Sequence, residues 1–388
     1  MGEIPFNRPR LIGTEHRYLR EAIATGKISG NGMFARRCEA WLRARVGARA
    51  AFLTPSCTAA LEMAAILAGV GPGDEVIVPT FTFVSTANAF ACHGATPVFV
   101  DVEERTLNLD VDAVARAITP RTRAIVVMHY GGVACDMDAV MELAARHRLL
   151  VVEDAAHALP AACRGRPLGS IGHLATFSFH ETKNIQCGEG GALLVNDPAL
   201  VERAEIVQEK GTNRTAFFRG DADRYTWLDL GSSYLMSEVS AAFLWAQIEE
   251  ADATTAERRR IWSRYHDAFA EREQAGVVRR PGVPDGCEHS GHLYYLLLGD
   301  EPERDALIAA LARGGVHAVF HYVPLGSSPA GRRYGRAHEP SPRAESLSRR
   351  LARLPLWVGM EDGDVARVIE ATHDALAGRA AASVSGQA

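Results

Sequence analysis

The chain has 388 residues, 47% of them hydrophobic and 23% charged, with a formal net charge of −5. That is an ordinary globular composition, long enough for two domains with separate cores. The slight acidity and the lack of a dense basic run argue against nucleic acid as a partner, and no apolar run reaches membrane-spanning length.

Residues 1–10 lack the apolar centre of a signal peptide. The cysteines (Cys38, Cys57, Cys92, Cys135, Cys163, Cys187 and Cys287) are scattered, odd in number and without C-x-x-C pairs. Their spacing points to a reducing, cytoplasmic compartment and away from a zinc site.

Taken in order, residues 15–47 read as two surface helices around an irregular loop at 26–32. Strands are expected at 51–54, 75–78, 97–100, 123–128 and 149–152. They alternate with helices at 58–67, 85–92, 111–118 (capped by Asp110) and 137–146. Two more strands are expected at 174–179 and 191–195. This alternation predicts a mostly parallel sheet with helices on both faces, whose ligands lie beyond the carboxyl ends of the strands. Residues 234–269 look long and helical. Beyond Pro281 a smaller α+β unit is expected, with strands at 293–298 and 318–322 and helices at 304–312, 343–353 and 363–376. The expected division is a large domain over 1–235, a linking helix and small domain over 236–378, and a frayed tail over 379–388, where periodicity ends.

Chemistry concentrates in the loops after strands. Residues 173–191 begin as a buried strand, turn polar at His180, present Lys183 and close on Gly188, Gly190 and Gly191. A lysine there would be partly desolvated, which lowers its pKa and frees the amine to form a Schiff base with a carbonyl. Taken alone, a loop lysine is usually solvated. Three other loops change the balance. Pro55 and the hydroxyl residues around Ser56, Cys57 and Thr58 open a helix, whose free N–H groups suit a phosphate. Phe81 and Phe83 offer a ring to lie against a planar cofactor. Glu153 and Asp154 end an apolar strand, where a carboxylate is costly unless paired, and Asp154 could hold a pyridinium N–H, with His157 nearby. Phosphate donors, a stacking ring, an acid and an amine are together what pyridoxal 5'-phosphate (PLP) needs from a protein.

The motifs TPSCTA (54–59), PTFTFVSTAN (79–88), EDAAH (153–157), SFHETKN (178–184) and GEGGA (188–192) resemble those of the DegT/DnrJ/StrS family. These are PLP-dependent sugar aminotransferases of the aspartate-aminotransferase fold (fold type I), with a large mixed-sheet domain and a smaller C-terminal α+β domain. The likeness extends through IPFN (4–7), GTNR (211–214), GSSYLMS (231–237) and VFHYVPL (319–325), nearly the whole chain. It is strongest to the members that make dTDP-4-amino-4,6-dideoxygalactose.

The resemblance implies that Lys183 carries the cofactor and then moves the proton, and that Asp154 pairs with the pyridine nitrogen. His157, at a position where many relatives have Gln, would lie near the ring hydroxyl, with Phe83 stacked on the ring. Cys57, Thr58 and Ser178 would hold the phosphate. Ser233 stands where many relatives bring an asparagine from the partner subunit. Arg214 or Arg219 would face a diphosphate in the neighbouring subunit's site. His321 and Tyr322 would contact sugar, although Gly326 replaces a histidine common in relatives. The implied reaction takes an amino group from glutamate, releasing 2-oxoglutarate, and delivers it to C4 of dTDP-4-keto-6-deoxyglucose in a homodimer with shared sites. The setting would be deoxysugar biosynthesis, as in an antibiotic pathway, with a galacto or gluco product.

Related sugar dehydratases replace the lysine by histidine, which Lys183 disfavours. A nicotinamide-dependent reductase needs its glycines between strand and helix, whereas residues 69–73 follow a helix and precede a strand. Amination at C3 and a non-catalytic role as a nucleotide-sugar-binding regulator stay open at this point.

Overall fold

In the computed structural model, which describes residues 2–385, the strand–helix alternation runs as expected. Strands β1 (Ala50–Thr54), β2 (Glu75–Pro79), β3 (Thr96–Val100), β4 (Thr122–Met128) and β5 (Leu150–Asp154) are separated by helices. A hairpin of β6 (Ala162–Cys163) and β7 (Arg166–Pro167) precedes β8 (Leu174–Ser178) and β9 (Gly191–Val195). Four short strands follow: β10 (Cys287–Glu288), β11 (Tyr294–Leu297), β12 (Arg336–Ala337) and β13 (Leu351–Leu354). All residues of β2, β8 and β9 are buried, as strands covered by helices on both faces require.

The central sheet has the order β1-β9-β8-β5-β4-β2-β3-β12. It is parallel except for β9, which runs antiparallel between β1 and β8, so that Thr54 and Ser178 both lie opposite Gly191. This brings the carboxyl ends of β1 and β8 together beside that of β5, where Asp154 pairs in register with Thr176. Gly191 is required at this junction, because a Cβ there would lie 2.4 Å from the Cys57 nitrogen.

The long helical stretch is two helices, Glu238–Glu249 and Ala251–Ala268, separated at Glu250. The first packs Ala241, Leu244 and Ile248 into the core that contains Phe34, Leu42 and Phe177. The second packs Ile261 and Tyr265 against Tyr294, Leu296 and Leu307 of the smaller core, which Ile4 also joins from the N-terminus.

Three local expectations are corrected. Residues 318–322 do not form a strand; a single bridge joins Val319 to Arg353. The helix expected through 353 ends at Arg350, and Leu351–Leu354 becomes β13, antiparallel to β11. Pro355 disfavours helix in the residue before it, and β11 offers buried Leu351 and Leu354 a partner. The last helix spans Asp362–Ser385 rather than stopping near 376. The final three residues of the expected frayed tail, 386–388, lie outside the described residues.

The inference from cysteine spacing is corrected as well. Cys163 on β6 and Cys287 on β10, 124 residues apart, are register partners and form a disulfide, so cysteine usage no longer argues for a reducing compartment. Among the described residues, no helix is long and apolar enough to cross a membrane.

Candidate active site

A cavity of about 760 Å3 opens where β1, β5 and β8 end, with the small domain forming its opposite wall. Lys183 lines it. The chain turns sharply after β8, and the Lys183 N–H donates to the His180 carbonyl at 2.8 Å. Among the described residues the amine has no hydrogen-bond partner. Burial pulls its pKa from 10.5 down to about 8; Arg353 and Arg258 assist, while Cys57 and Asp154 oppose.

Asp154 is buried at the end of β5. Its Oδ2 accepts from the Thr86 hydroxyl at 2.7 Å and its Oδ1 from the Ala156 N–H at 3.2 Å. Burial raises its pKa, and the Thr86 bond is the main opposing influence. Neighbouring residues of a strand face opposite ways, and Glu153 accordingly serves a different purpose. It lies 2.9 Å from His129 Nε2 and accepts from the N–H groups of Gly169, Ile171 and Gly172. The two carboxylates of the EDAAH stretch are thus divided: Glu153 is neutralised in the core, and Asp154 faces the cavity.

The helix Cys57–Leu67 begins at the cavity. Ser56 caps it by accepting from the Ala59 N–H at 3.1 Å, which leaves the N–H groups of Cys57 and Thr58 without a partner among the described residues. Thr58 Oγ1 lies 2.8 Å from Ser85 Oγ, and Ser178 lines the same wall. Phe83 is 54% exposed at the start of the next helix, with its ring 6.3 Å from that of Tyr322. His157 accepts from the Gly131 N–H at 3.3 Å and stacks on His292 at 4.2 Å. Burial, reinforced by Lys183, holds both imidazoles well below their usual pKa and therefore neutral. His321 Nδ1 lies 3.1 Å from the Tyr130 hydroxyl.

Nine of the residues singled out in the sequence wall this one cavity: Lys183, Asp154, Cys57, Thr58, Phe83, His157 and Ser178 of the cofactor set, with His321 and Tyr322 as the sugar-contact pair. Three others stand apart. Ser233 is exposed and bridged to Glu209. Arg214 pairs with Glu209 at 3.0 Å, and Arg219 with Glu205 at 2.7 Å and Asp221 at 2.6 Å. Four residues of the site escaped the sequence reading: Arg258, His292 and Arg353, which line the cavity, and buried Thr86, which bonds Asp154. Thr86 sits in a stretch read for its rings rather than its hydroxyls. The other three come from the small domain, which no motif connected to the strand ends.

The donor set fits PLP. Two unpaired N–H groups at a helix start suit its phosphate, a carboxylate buried in the cavity suits a protonated ring nitrogen, and a desolvated amine suits its aldehyde.

The model of the DegT/DnrJ/EryC1/StrS aminotransferase family matches residues 9–373. The GDP-perosamine synthase of Caulobacter vibrioides is 36% identical over 373 residues, 95% of this chain and 97% of that protein. The aminotransferase TlmJ from Streptoalloteichus hindustanus matches with a TM-score of 0.89 at 33% identity, covering 97% of this chain and 100% of that one. Spr1654 from Streptococcus pneumoniae, solved in a PMP form, matches with a TM-score of 0.90 at 26% identity over 98% of this chain and 99% of that one. Its PLP form matches at 0.88 and 27%, over 96% and 98%.

Proposed function

This chain belongs to the DegT/DnrJ/EryC1/StrS aminotransferase family, as a PLP-dependent sugar aminotransferase of fold type I, and we propose that it transfers an amino group from glutamate to C4 of a nucleotide-linked 4-keto-6-deoxyhexose. The proposed acceptor is dTDP-4-keto-6-deoxyglucose, and the net exchange is amino group for carbonyl oxygen, with 2-oxoglutarate as the second product. The observation that carries this reading is Lys183, an unpaired amine held out of water in the same cavity as Asp154.

When bound, PLP supplies an aldehyde that takes up the amino group and a ring that withdraws electrons from the carbon losing its proton. The chain's residues do the rest. With a pKa of about 8, a useful fraction of Lys183 is unprotonated near neutral pH. It can accept the proton from Cα of the donor and return one to C4 of the acceptor. Asp154 keeps the ring nitrogen protonated, and its Thr86 bond supports the charged carboxylate that this requires. The N–H groups of Cys57 and Thr58, with the hydroxyls of Thr58 and Ser178, anchor the phosphate. Phe83 would lie against the ring, and neutral His157 would bond to the ring hydroxyl without adding charge.

His321 and Tyr322 are assigned to the sugar. Arg214, Arg219 and Ser233, which stand apart from this cavity, are assigned to the corresponding cavity of a second copy in a homodimer. The test is incubation of purified holoenzyme with glutamate and dTDP-4-keto-6-deoxyglucose, followed by NMR of the product. The coupling constants at C4 separate a gluco from a galacto amine. A parallel arm uses the GDP-linked 4-keto sugar, because one relative is a GDP-perosamine synthase. If neither nucleotide sugar is aminated at C4, the reading is overturned.

A further inference from the structure

His292 is a buried imidazole in the cavity wall, and no step of the amino transfer uses it. Its surroundings are nonetheless specific. Its Nδ1 lies 3.0 Å from Oδ1 of Asn184, the residue after Lys183. Asn184 is buried too, and the other end of its amide donates to the Ser290 carbonyl at 2.9 Å. A carboxamide whose nitrogen is taken up by a carbonyl presents its oxygen to the imidazole, so the His292 proton sits on Nδ1. The backbone is fixed as well: the carbonyls of Gly291 and His292 accept from Arg258 at 3.1 and 2.6 Å.

The ring so held lies on His157, with centroids 4.2 Å apart and planes 25° from parallel. The same segment holds the His157 backbone, because Ser290 Oγ donates to its carbonyl at 2.6 Å. That gap is so narrow that a Cβ on Gly132 would collide with the Ser290 hydroxyl. His157 Nδ1 accepts from the Gly131 N–H at 3.3 Å, which puts the His157 proton on Nε2. This Nε2 has no hydrogen-bond partner among the described residues, and His157 lines the cavity. One bond of 3.3 Å is a loose hold on a ring that turns about its last side-chain torsion. The stacked imidazole restricts that turn, and the imidazole is itself anchored beside Lys183.

We propose that His292 is a positioning residue that keeps the His157 ring in the orientation from which its Nε2–H donates to the hydroxyl oxygen of the cofactor ring. This rests on the assignment of His157 to that hydroxyl. A donor there favours the oxygen without its proton, so the bound cofactor loses its proton at a lower pH than it would without the bond. Lys183, Arg353 and His321 also act on His157, and Asp154 acts on Lys183. None of these is altered in the variants below.

The test follows the visible absorption of holoenzyme against pH, with no sugar or amino acid present. His157→Ala should raise the midpoint by about one pH unit, a 10-fold shift, and His292→Leu by about half a unit. His292→Phe restores a flat ring and should return the midpoint to within about 0.2 units of wild type. Combining His157→Ala with His292→Leu should give the His157→Ala midpoint, because one residue acts through the other. A midpoint raised in His157→Ala but unchanged in His292→Leu overturns the proposal, and so do shifts that add in the double variant. Unchanged midpoints in both overturn the placement of His157 at the ring hydroxyl, and the proposal with it. If His292→Leu does not fold, Asn184→Ala leaves the imidazole and removes its anchor. A shift of about 2-fold is then expected, and no shift overturns the proposal equally. Failure of the wild type to aminate any sugar would overturn the functional reading while leaving the absorption comparison intact.

Discussion

Thr86 donates its hydroxyl hydrogen to Asp154 Oδ2 at 2.7 Å, and the oxygen of Thr82 lies 2.8 Å from that of Thr86. This short relay links the helix Val84–Ala91 to the end of β5. It is the main influence opposing the burial that raises the Asp154 pKa.

Thr86→Val keeps the side chain's shape and removes the donor. With the charged carboxylate less well supported, PLP should bind about 10-fold more weakly, the equivalent of one charge-assisted hydrogen bond. Fluorescence titration of the apoprotein with PLP reads this directly. An unchanged dissociation constant would make Thr86 a packing residue only.

Lys183→Ala should stop both halves of the reaction, because one amine serves both proton transfers. No 2-oxoglutarate should appear from glutamate, and no amino sugar from the 4-keto sugar. Borohydride should no longer fix PLP to the chain. Steady-state turnover retained by this variant would remove Lys183 from its role, and a wild type that borohydride cannot label would favour the regulator reading.

The lowered Lys183 pKa has a definite sign. The amine releases its proton near pH 8 in the folded chain and near 10.5 when unfolded. Between these values the unfolded chain binds more protons, so this group's contribution to stability is present at high pH and is lost as pH falls through about 8. The same free base is the form of Lys183 that would take up PLP. The rate of reconstitution of the apoprotein should therefore rise with pH to a plateau with a midpoint near 8 rather than above 10. Stopped-flow absorbance from pH 6.5 to 9.5 measures it.

The buried Glu153–His129 pair should be a main support of the sheet. Burial alone would lower the His129 pKa, but Cys135 and Glu153 outweigh it and raise it to about 10. For Glu153, burial is outweighed by His129 and the Gly172 and Gly169 N–H groups, and its pKa is lowered. The histidine's contribution is full below pH 6.5 and lost as pH rises through about 10. The carboxylate's is full above pH 4.5 and lost as pH falls below it. Glu153→Ala leaves the imidazole and three N–H groups without their acceptor and should cost about 3–5 kcal/mol at pH 7. Urea melts should show that gap. A loss below about 1 kcal/mol would mean that water replaces the carboxylate.

What the sequence determined by itself is local in cause. Strand–helix alternation, the Ser56 and Asp110 caps, the lysine just past a buried strand and the carboxylate at a strand end all depend on neighbours a few residues away, and they were legible as motifs. The tertiary structure alone decided which strand ends meet. β9 slots antiparallel between β1 and β8 because Gly191 lets the backbone at Cys57 pass within contact. It also decided that Glu153 is neutralised by His129 while Asp154 stays open to the cavity, and that Cys163 meets Cys287 across two short strands. Arg353 shows the limit most plainly. Its helical-looking surroundings hid a strand, because pairing with β11 and the following proline outweighed local periodicity. Only that pairing carries an unneutralised guanidinium to a lysine 170 positions earlier in the chain. Such charges are placed by long-range packing, whose partners are not encoded in any short stretch.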